Sequence, residues 1–337
     1  MTIIRIGLDT SKHVFQVHGV DDSEQPVLRR RLGRSEVAKF FAKLPPSWIG
    51  LEACGAAHHW ARLLRGLGHA VVLLPPQYIK PYVKRGKNDA IDAAAICEAM
   101  SRPGMRFVPI KSAESQAALM LLRVRDLLIK QRTMLSNAMR GHAAEFGVVA
   151  AKGPLGVAEL LQHAHSKAAG VPALAQELLA LLADQLEAIA VRLKALEAQL
   201  LAWHRQDPVS RCLVTQPGIG PIAAVSFTLK VPDPKMFRSG RHFAAWLGLT
   251  PKENSTGGRR RAGRISRQGD QSLRKLLVLG ATAVIQFAKP GRGSPWLINL
   301  LARRPKKLAA VALANKMARI IWAMMMSGEI YRRPQQA

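Results

Sequence analysis

The chain holds 337 residues, 48% of them hydrophobic and 21% charged, an ordinary globular composition that excludes a chiefly disordered, collagen-like or disulfide-stapled protein. Lys and Arg number 50 against 22 Asp and Glu, a net charge of +28. A field of that sign favours a polyanionic partner, nucleic acid ahead of an anionic membrane surface.

The length suits two or three domains. The apolar start of the chain is broken by Arg5 and Asp9, so it does not read as a signal peptide. Residues 276–288 are too short to span a bilayer, and residues 308–326 carry Lys316 and Arg319 inside the run. Both read as buried helices of a soluble, cytoplasmic protein with no membrane partner. Cys54, Cys97 and Cys212 are scattered and show no metal-ligand spacing, which reads as three reduced thiols.

In chain order, residues 3–8, 13–20 and 26–32 read as strands, the first two as a hairpin. Residues 34–44 read as a helix ended by Pro45-Pro46, and 48–51 as a short buried strand running into Glu52. A helix follows over 56–67, stopped by Gly68, then a strand over 70–74 closed by Pro75-Pro76. Residues 89–100 read as a helix capped by Asn88 or Asp89. The N-terminal hundred residues are thus mixed α/β.

Residues 112–204 read as long helices interrupted at Pro154 and at Gly170–Pro172. Leu182, Leu186, Ile189, Leu193, Leu196 and Leu200 form a heptad seam, which suits either an intramolecular helical hairpin or a dimerising coiled coil. Residues 205–337 form a third part, mainly helical, with 24 Lys/Arg against 5 Asp/Glu; residues 1–204 hold 26 against 17. Contact with a polyanion is weighted toward this C-terminal part.

Three constellations carry chemistry. Asp9 ends the first strand and Glu52 the fourth, while Asp89 and Asp92 share a face at the start of a helix. Parallel strands deliver their C-terminal residues to one sheet edge. Four carboxylates meeting there call for cations, and two Mg²⁺ about 3.5–4 Å apart would clamp the entering and leaving oxygens of a phosphoryl transfer. Taken singly, each acid also suits a turn, a cap or the surface. The second constellation is Pro217–Gly220, a glycine turn in which Gly218 and Gly220 let backbone N–H groups meet a phosphate, as a helix-hairpin-helix element does; a plain tight turn is the alternative. The third runs from Asn254 to Asp270. It offers the hydroxyls of Ser255, Thr256 and Ser266 beside Arg259, Arg260, Arg261, Arg264 and Arg267. It suits either a flexible basic loop on DNA or a serine nucleophile ringed by phosphate-binding guanidiniums.

Taken together, G-L-D-T-S-K, L-E-A-C-G, K-N-D-A-I-D-A, Q-P-G-I-G-P, A-A-W-L-G-L-T-P and N-S-T-G-G-R-R-R-A-G-R-I-S-R-Q-G-D-Q-S-L-R-K resemble the insertion-sequence transposases with an N-terminal RuvC-like DEDD domain and a C-terminal serine-bearing transposase domain. These are also known as bridge-RNA-guided recombinases. The resemblance covers nearly the whole chain. It implies an α/β RNase H-like (RuvC-like) fold for residues 1–105, a helical, partly coiled-coil linker over 106–204, and a mainly α transposase domain with a helix-hairpin-helix-like motif over 205–337. It implies a metal site of Asp9, Glu52, Asp89 and Asp92 holding Mg²⁺, a seryl–DNA intermediate, and a structured guide RNA. Many members carry serine directly before the glycine of the nucleophile loop, where this chain has Thr256. Ser255 is preferred here because its primary hydroxyl is less hindered, and Thr256 is the alternative. The expected activity is DNA transposition and recombination by a homo-oligomer, a dimer or tetramer. The alternatives are a Holliday-junction-type endonuclease that uses the same acids to activate water, and a non-catalytic nucleic-acid-binding protein.

Overall fold

The computed structural model describes residues 3–84, 89–166, 170–259, 261–288 and 294–332. The chain divides into two compact units, residues 1–117 and 118–337. The expected cap at Asn88 and the expected phosphate ligand Arg260 lie outside the described residues.

The first unit is built on a five-stranded sheet of order β3-β2-β1-β4-β5. Its strands are β1 (Arg5–Thr10), β2 (Val14–Val20), β3 (Pro26–Gly33), β4 (Trp48–Glu52) and β5 (Ala70–Leu74). β1, β4 and β5 run parallel, while β2 and β3 form antiparallel neighbours on one side. Alternation along the strands sorts the side chains between the two faces. Ile6, Leu8, Ile49 and Leu51 join Phe15 and Val17 on one face, covered by Val37 and Phe41 of α1 (Val37–Phe41) and by Trp60, Ala61 and Leu64 of α2 (Ala57–Gly66). On the other face Trp48, Val72 and Leu74 pack against Ala95, Ile96, Ala99 and Met100 of α4 (Asp89–Met100).

The strands fall within a few residues of their expected places. The first helix is shorter than the 34–44 expected, because only Val37 and Phe41 are buried and one turn suffices to bury a pair four apart. Beyond Pro75 a short helix, α3 (Pro76–Ile79), and a 3₁₀ turn over Lys80–Tyr82 appear where only a strand stop was expected. Pro76 takes an early helical position, where its missing N–H costs nothing.

In the second unit, α5 (Ala113–Ala144), which begins just before the unit boundary, α6 (Pro154–His165) and α7 (Ala173–Gln206) form the helical arm. The heptad seam is spent inside the chain. Ile189 and Leu193 pack with Leu128 of α5, Leu200 with Leu119 and Leu122, and Leu186 with Met139 and Leu160. The seam therefore makes an intramolecular helical pairing, and these leucines do not define an intersubunit coiled coil. α8 (Pro208–Leu213), α9 (Pro221–Lys230), α10 (Gly240–Trp246), α11 (Gln271–Gln286), α12 (Pro295–Arg303) and α13 (Lys306–Ser327) share one core that includes Leu213, Phe227, Phe243, Leu277, Met317 and Ile321. Among the described residues α13 alone is long and apolar enough to cross a membrane, and its Ala310, Leu313, Ala314, Met317 and Ile321 are buried in that core.

The Gly/Arg-rich stretch expected as a loop is a hairpin. β6 (Pro251–Glu253) pairs antiparallel with β7 (Ala262–Ile265). At its tip Thr256 and Arg259 exchange backbone hydrogen bonds of 3.3 and 3.0 Å around Gly257 and Gly258, at φ +52° and +73°. Positive φ at both central residues is the turn that matches strand twist, and glycine supplies it without strain.

Candidate active site

β1 and β4 arrive at the site with the same four residues, Ile-Gly-Leu-Asp over 6–9 and Ile-Gly-Leu-Glu over 49–52. Gly7 pairs with Gly50 and Leu8 with Leu51, so continuing the parallel register sets Asp9 beside Glu52 at the carboxyl end. Residues paired in register share a face. Asp9 and Glu52 therefore face the side covered by α4, while the intervening leucines fill the opposite core.

The glycines decide how closely α4 approaches. A methyl on Gly7 would stand 2.1 Å from the carbonyl oxygen of Ala93 and 2.6 Å from the amide nitrogen of Cys97, both backbone atoms of α4. A methyl on Gly50 would stand 2.8 Å from the Met100 sulfur. Helix and sheet meet nearly backbone to backbone, which brings the first turn of α4 to the sheet's carboxyl edge. That turn carries Asp89 and Asp92, acids that the helix dipole favours at this end. Carboxylate oxygens of Asp9, Asp89 and Asp92 lie within 4.8 Å of one another.

Burial raises the Asp9 carboxyl to about 6, and the charges of Asp92, Asp89 and Glu52 push in the same direction. Glu52 is raised by burial and by Asp92, with Lys80 opposing. Asp9 thus feels the charges of the other three acids, and Glu52 feels that of Asp92. A cluster of hard oxygen donors holding unneutralised negative charge fits divalent cations of the Mg²⁺ kind. The sequence pointed to these four acids. It did not single out Lys80, nor the paired glycines, although the repeated Ile-Gly-Leu-acid quartet was a signal for them.

The hairpin of the second unit is exposed throughout residues 251–259. The Ser255 hydroxyl accepts a hydrogen bond from the Arg261 amide at 3.0 Å and donates one to the Glu253 carboxylate. Glu253 escaped the sequence reading, although two residues along a strand share a face. Thr256 sits at the turn, its amide bonded to the Arg259 carbonyl. Arg259, Arg261, Arg264 and Arg267 are exposed and make no ion pair among the described residues. Arg267 has φ +56° and ties its amide to the Gly248 carbonyl at 3.1 Å. The base of the hairpin is closed by Gly269, where a methyl would stand 1.8 Å from the Trp246 carbonyl oxygen. Asp270 then caps α11, bonding the Leu273 amide at 2.9 Å and the Lys230 ammonium at 3.0 Å. Burial works against its charge, but these donors hold its carboxyl below the usual range.

The Pro217–Gly220 turn joins α8 to α9. Gly218, at φ +87°, is packed so tightly on α11 that a methyl would stand 2.7 Å from the Gly280 carbonyl oxygen, whereas Gly220 is the N-cap of α9 with open space around it. Gly218 is thus fixed by helix packing, while the side-chain position of Gly220 faces open space.

A mixed five-stranded sheet carrying acids at one edge, followed by helices, fits an RNase H-like domain of the DEDD transposase type. Residues 6–147 match the DEDD transposase model of the IS110 group, and residues 210–294 match the transposase IS116/IS110/IS902 family. The Sinorhizobium fredii protein y4pF/y4sB is 56% identical over 336 residues, 99% of this chain and 87% of that one. The transposase of insertion sequence element IS1328 from Yersinia enterocolitica is 37% identical, covering 97% of this chain and 98% of that one. The transposase of IS1111A from Coxiella burnetii is also 37% identical, covering 97% and 91%. The chain belongs to the IS110/IS116 family of insertion-sequence transposases, enzymes that act on DNA.

Proposed function

We propose that this transposase cuts and rejoins DNA through a covalent seryl–DNA intermediate, with Asp9, Glu52, Asp89 and Asp92 as its metal site and Ser255 as its nucleophile. The observation that carries the metal half is the mutual approach of the Asp9, Asp89 and Asp92 carboxylates within 4.8 Å. Two Mg²⁺ held by the four acids would supply positive charge to the oxygens of the reacting phosphate.

The protein's own groups do the rest. Ser255 Oγ attacks the phosphorus while its proton passes to the Glu253 carboxylate, to which it is already hydrogen-bonded. The bond from phosphorus to the departing deoxyribose oxygen breaks, and that oxygen takes a proton from water. Arg259, Arg261, Arg264 and Arg267, with Arg260, hold the non-bridging oxygens. In rejoining, a DNA hydroxyl attacks the seryl phosphate and gives its proton to the hydroxide left in the first step, the bond from phosphorus to the Ser255 oxygen breaks, and the serine recovers its proton from Glu253. Gly220 contributes backbone contact to the DNA.

We divide the chain by role at residues 105 and 204 into the acid domain, the helical linker and the serine-bearing domain. A structured guide RNA follows from the motif resemblance, and the charge of +28 suits it. Assembly into a dimer or tetramer is supported by a second heptad row on α5: Met120, Val124, Leu127 and Met134 are 61%, 39%, 52% and 70% exposed.

The hydrolytic reading, a junction-type nuclease using the acids and water, is favoured by one observation: both hydrogen bonds of Ser255 are spent within the hairpin. Denaturing gels of reacted DNA separate the two. Protein attached to a strand supports the seryl reading, and free nicked ends alone overturn it.

A further inference from the structure

The face of the sheet that carries the acids continues past them. Gln16 of β2 pairs with Asp9, and His18 pairs with Gly7. Alongside these two residues, between β2, the β3 edge and α4, lies a cleft of about 730 Å³. Arg5, Arg29, Arg30, Lys84 and Arg102 line it, against two acids, Glu24 and Glu98. Both acids are already paired, Glu24 with Arg5 and Glu98 with Arg102. Arg29, Arg30 and Lys84 make no ion pair among the described residues.

Two features go beyond surface charge. Arg5 is 5% exposed, and its Nε–H is buried without a hydrogen-bond partner. A buried donor of that kind costs stability unless an acceptor arrives. Tyr82, which also lines the cleft, has the Arg102 guanidinium 5.8 Å from its ring centre, an aromatic–arginine pair of the sort on which unpaired bases stack. Guarding an exposed edge strand would explain the arginines of β3, but neither the buried Arg5 Nε–H nor the Tyr82–Arg102 pair. His18 is held below its usual range chiefly by burial, with the charge of Arg29 pushing the same way.

We propose that this cleft binds a single-stranded nucleic-acid segment, with its phosphates on Arg29, which pairs with His18, and on Lys84, and a base against Tyr82. The strand then runs past Gln16 toward Asp9. Only that direction rests on the reading of the acids as the metal site; the binding does not. DNA and RNA offer the same phosphodiester and stacking chemistry.

The test is photo-crosslinking of the full chain to a 4-thiothymidine DNA oligomer and, separately, a 4-thiouridine RNA oligomer. It is run in EDTA so that metal chemistry plays no part, and the adducts are mapped by mass spectrometry. The expected result is an adduct on Tyr82 or its immediate neighbours in at least one arm, and the arm that yields it identifies the source. The double variant R29A/K84A, altered only at exposed positions, should lower that adduct at least tenfold, whereas K39A/K43A, on α1 and just beyond it, should leave it unchanged. Tyr82→Ala should weaken oligomer binding roughly 5- to 150-fold, the range for one lost base stack, and Tyr82→Phe should restore it. Adducts confined to residues 205–337 in both arms, or a Tyr82 adduct indifferent to R29A/K84A, would overturn the proposal. A failure of the metal-site reading shows elsewhere, as cleavage that survives Asp9→Asn.

Discussion

Gly7→Ala is a probe of the acid site that touches no acid. The added methyl would stand 2.1 Å from the Ala93 carbonyl oxygen and 2.6 Å from the Cys97 amide nitrogen. Both are helix backbone, so no side chain can turn aside. To reach ordinary contact α4 has to retreat by about 1 Å, and overpacking of this kind costs about 1–3 kcal/mol. The retreat carries Asp89 and Asp92 away from Asp9. A 1 Å misplacement of reacting groups costs about a hundredfold in rate. Gly50→Ala is the internal control, because its methyl would meet the Met100 sulfur at 2.8 Å and the Ile96 Cγ2 at 3.2 Å, and a methionine side chain readily repacks. The assay is Mg²⁺-dependent strand cleavage, together with Mg²⁺ titration calorimetry and a thermal melt. Gly7→Ala should remain folded, with weakened metal binding and about a hundredfold slower cleavage; Gly50→Ala should stay close to wild type. A folded Gly7→Ala protein with wild-type metal affinity and rate would refute the claim that this close approach sets the site.

Two further outcomes follow from the electrostatics. The Asp9 carboxyl stands at about 6 in the folded chain against an ordinary 3.8, so the folded state holds its proton more tightly than the unfolded one. In EDTA this group therefore withdraws stability as pH rises from about 4 to 6, the reverse of the usual carboxylate pattern. Asp9→Asn should melt several degrees above wild type at pH 7 and level with it near pH 4; a gap that stays constant across this range would contradict the assignment. Glu253→Gln keeps a hydrogen-bond acceptor for Ser255 but is a far weaker base, so covalent adduct should form about 10²–10⁴-fold more slowly while DNA binding persists; unchanged adduct kinetics in a gel time course would remove Glu253 from the mechanism.

The N-terminal fold was legible because its strands are short, apolar and punctuated by Pro45-Pro46, Gly68 and Pro75-Pro76, and because burial on two faces leaves a plain pattern. The acids were legible for the same reason: strand ends are predictable, and parallel strands share an edge. What remained hidden was set by tertiary packing. The heptad seam of α7 could not reveal whose helix it meets, and the structure gives it to α5 and α6 of the same chain. The hairpin over 251–265 was hidden because its strands are short and wholly exposed at β6, with no apolar alternation to betray them. Glu253 was hidden with it, since its proximity to Ser255 exists only once the strand is extended. Hidden too was the packing of Gly218, read as a phosphate contact, against Gly280, a partner 62 residues away in the chain.

We propose above that a hydroxyl of the hairpin takes the DNA strand in covalent form at an enzyme whose metal site is the acid cluster. Trapping the reaction with Mg²⁺ and its DNA substrate, then mapping the protein–DNA adduct by mass spectrometry, tests it most directly. The expected result is a phosphodiester on Ser255, absent in Ser255→Ala and in Asp9→Ala although both still bind DNA. An adduct on Thr256 or Ser266 would contradict the choice of nucleophile, and strand exchange with no adduct in any variant would contradict seryl chemistry itself.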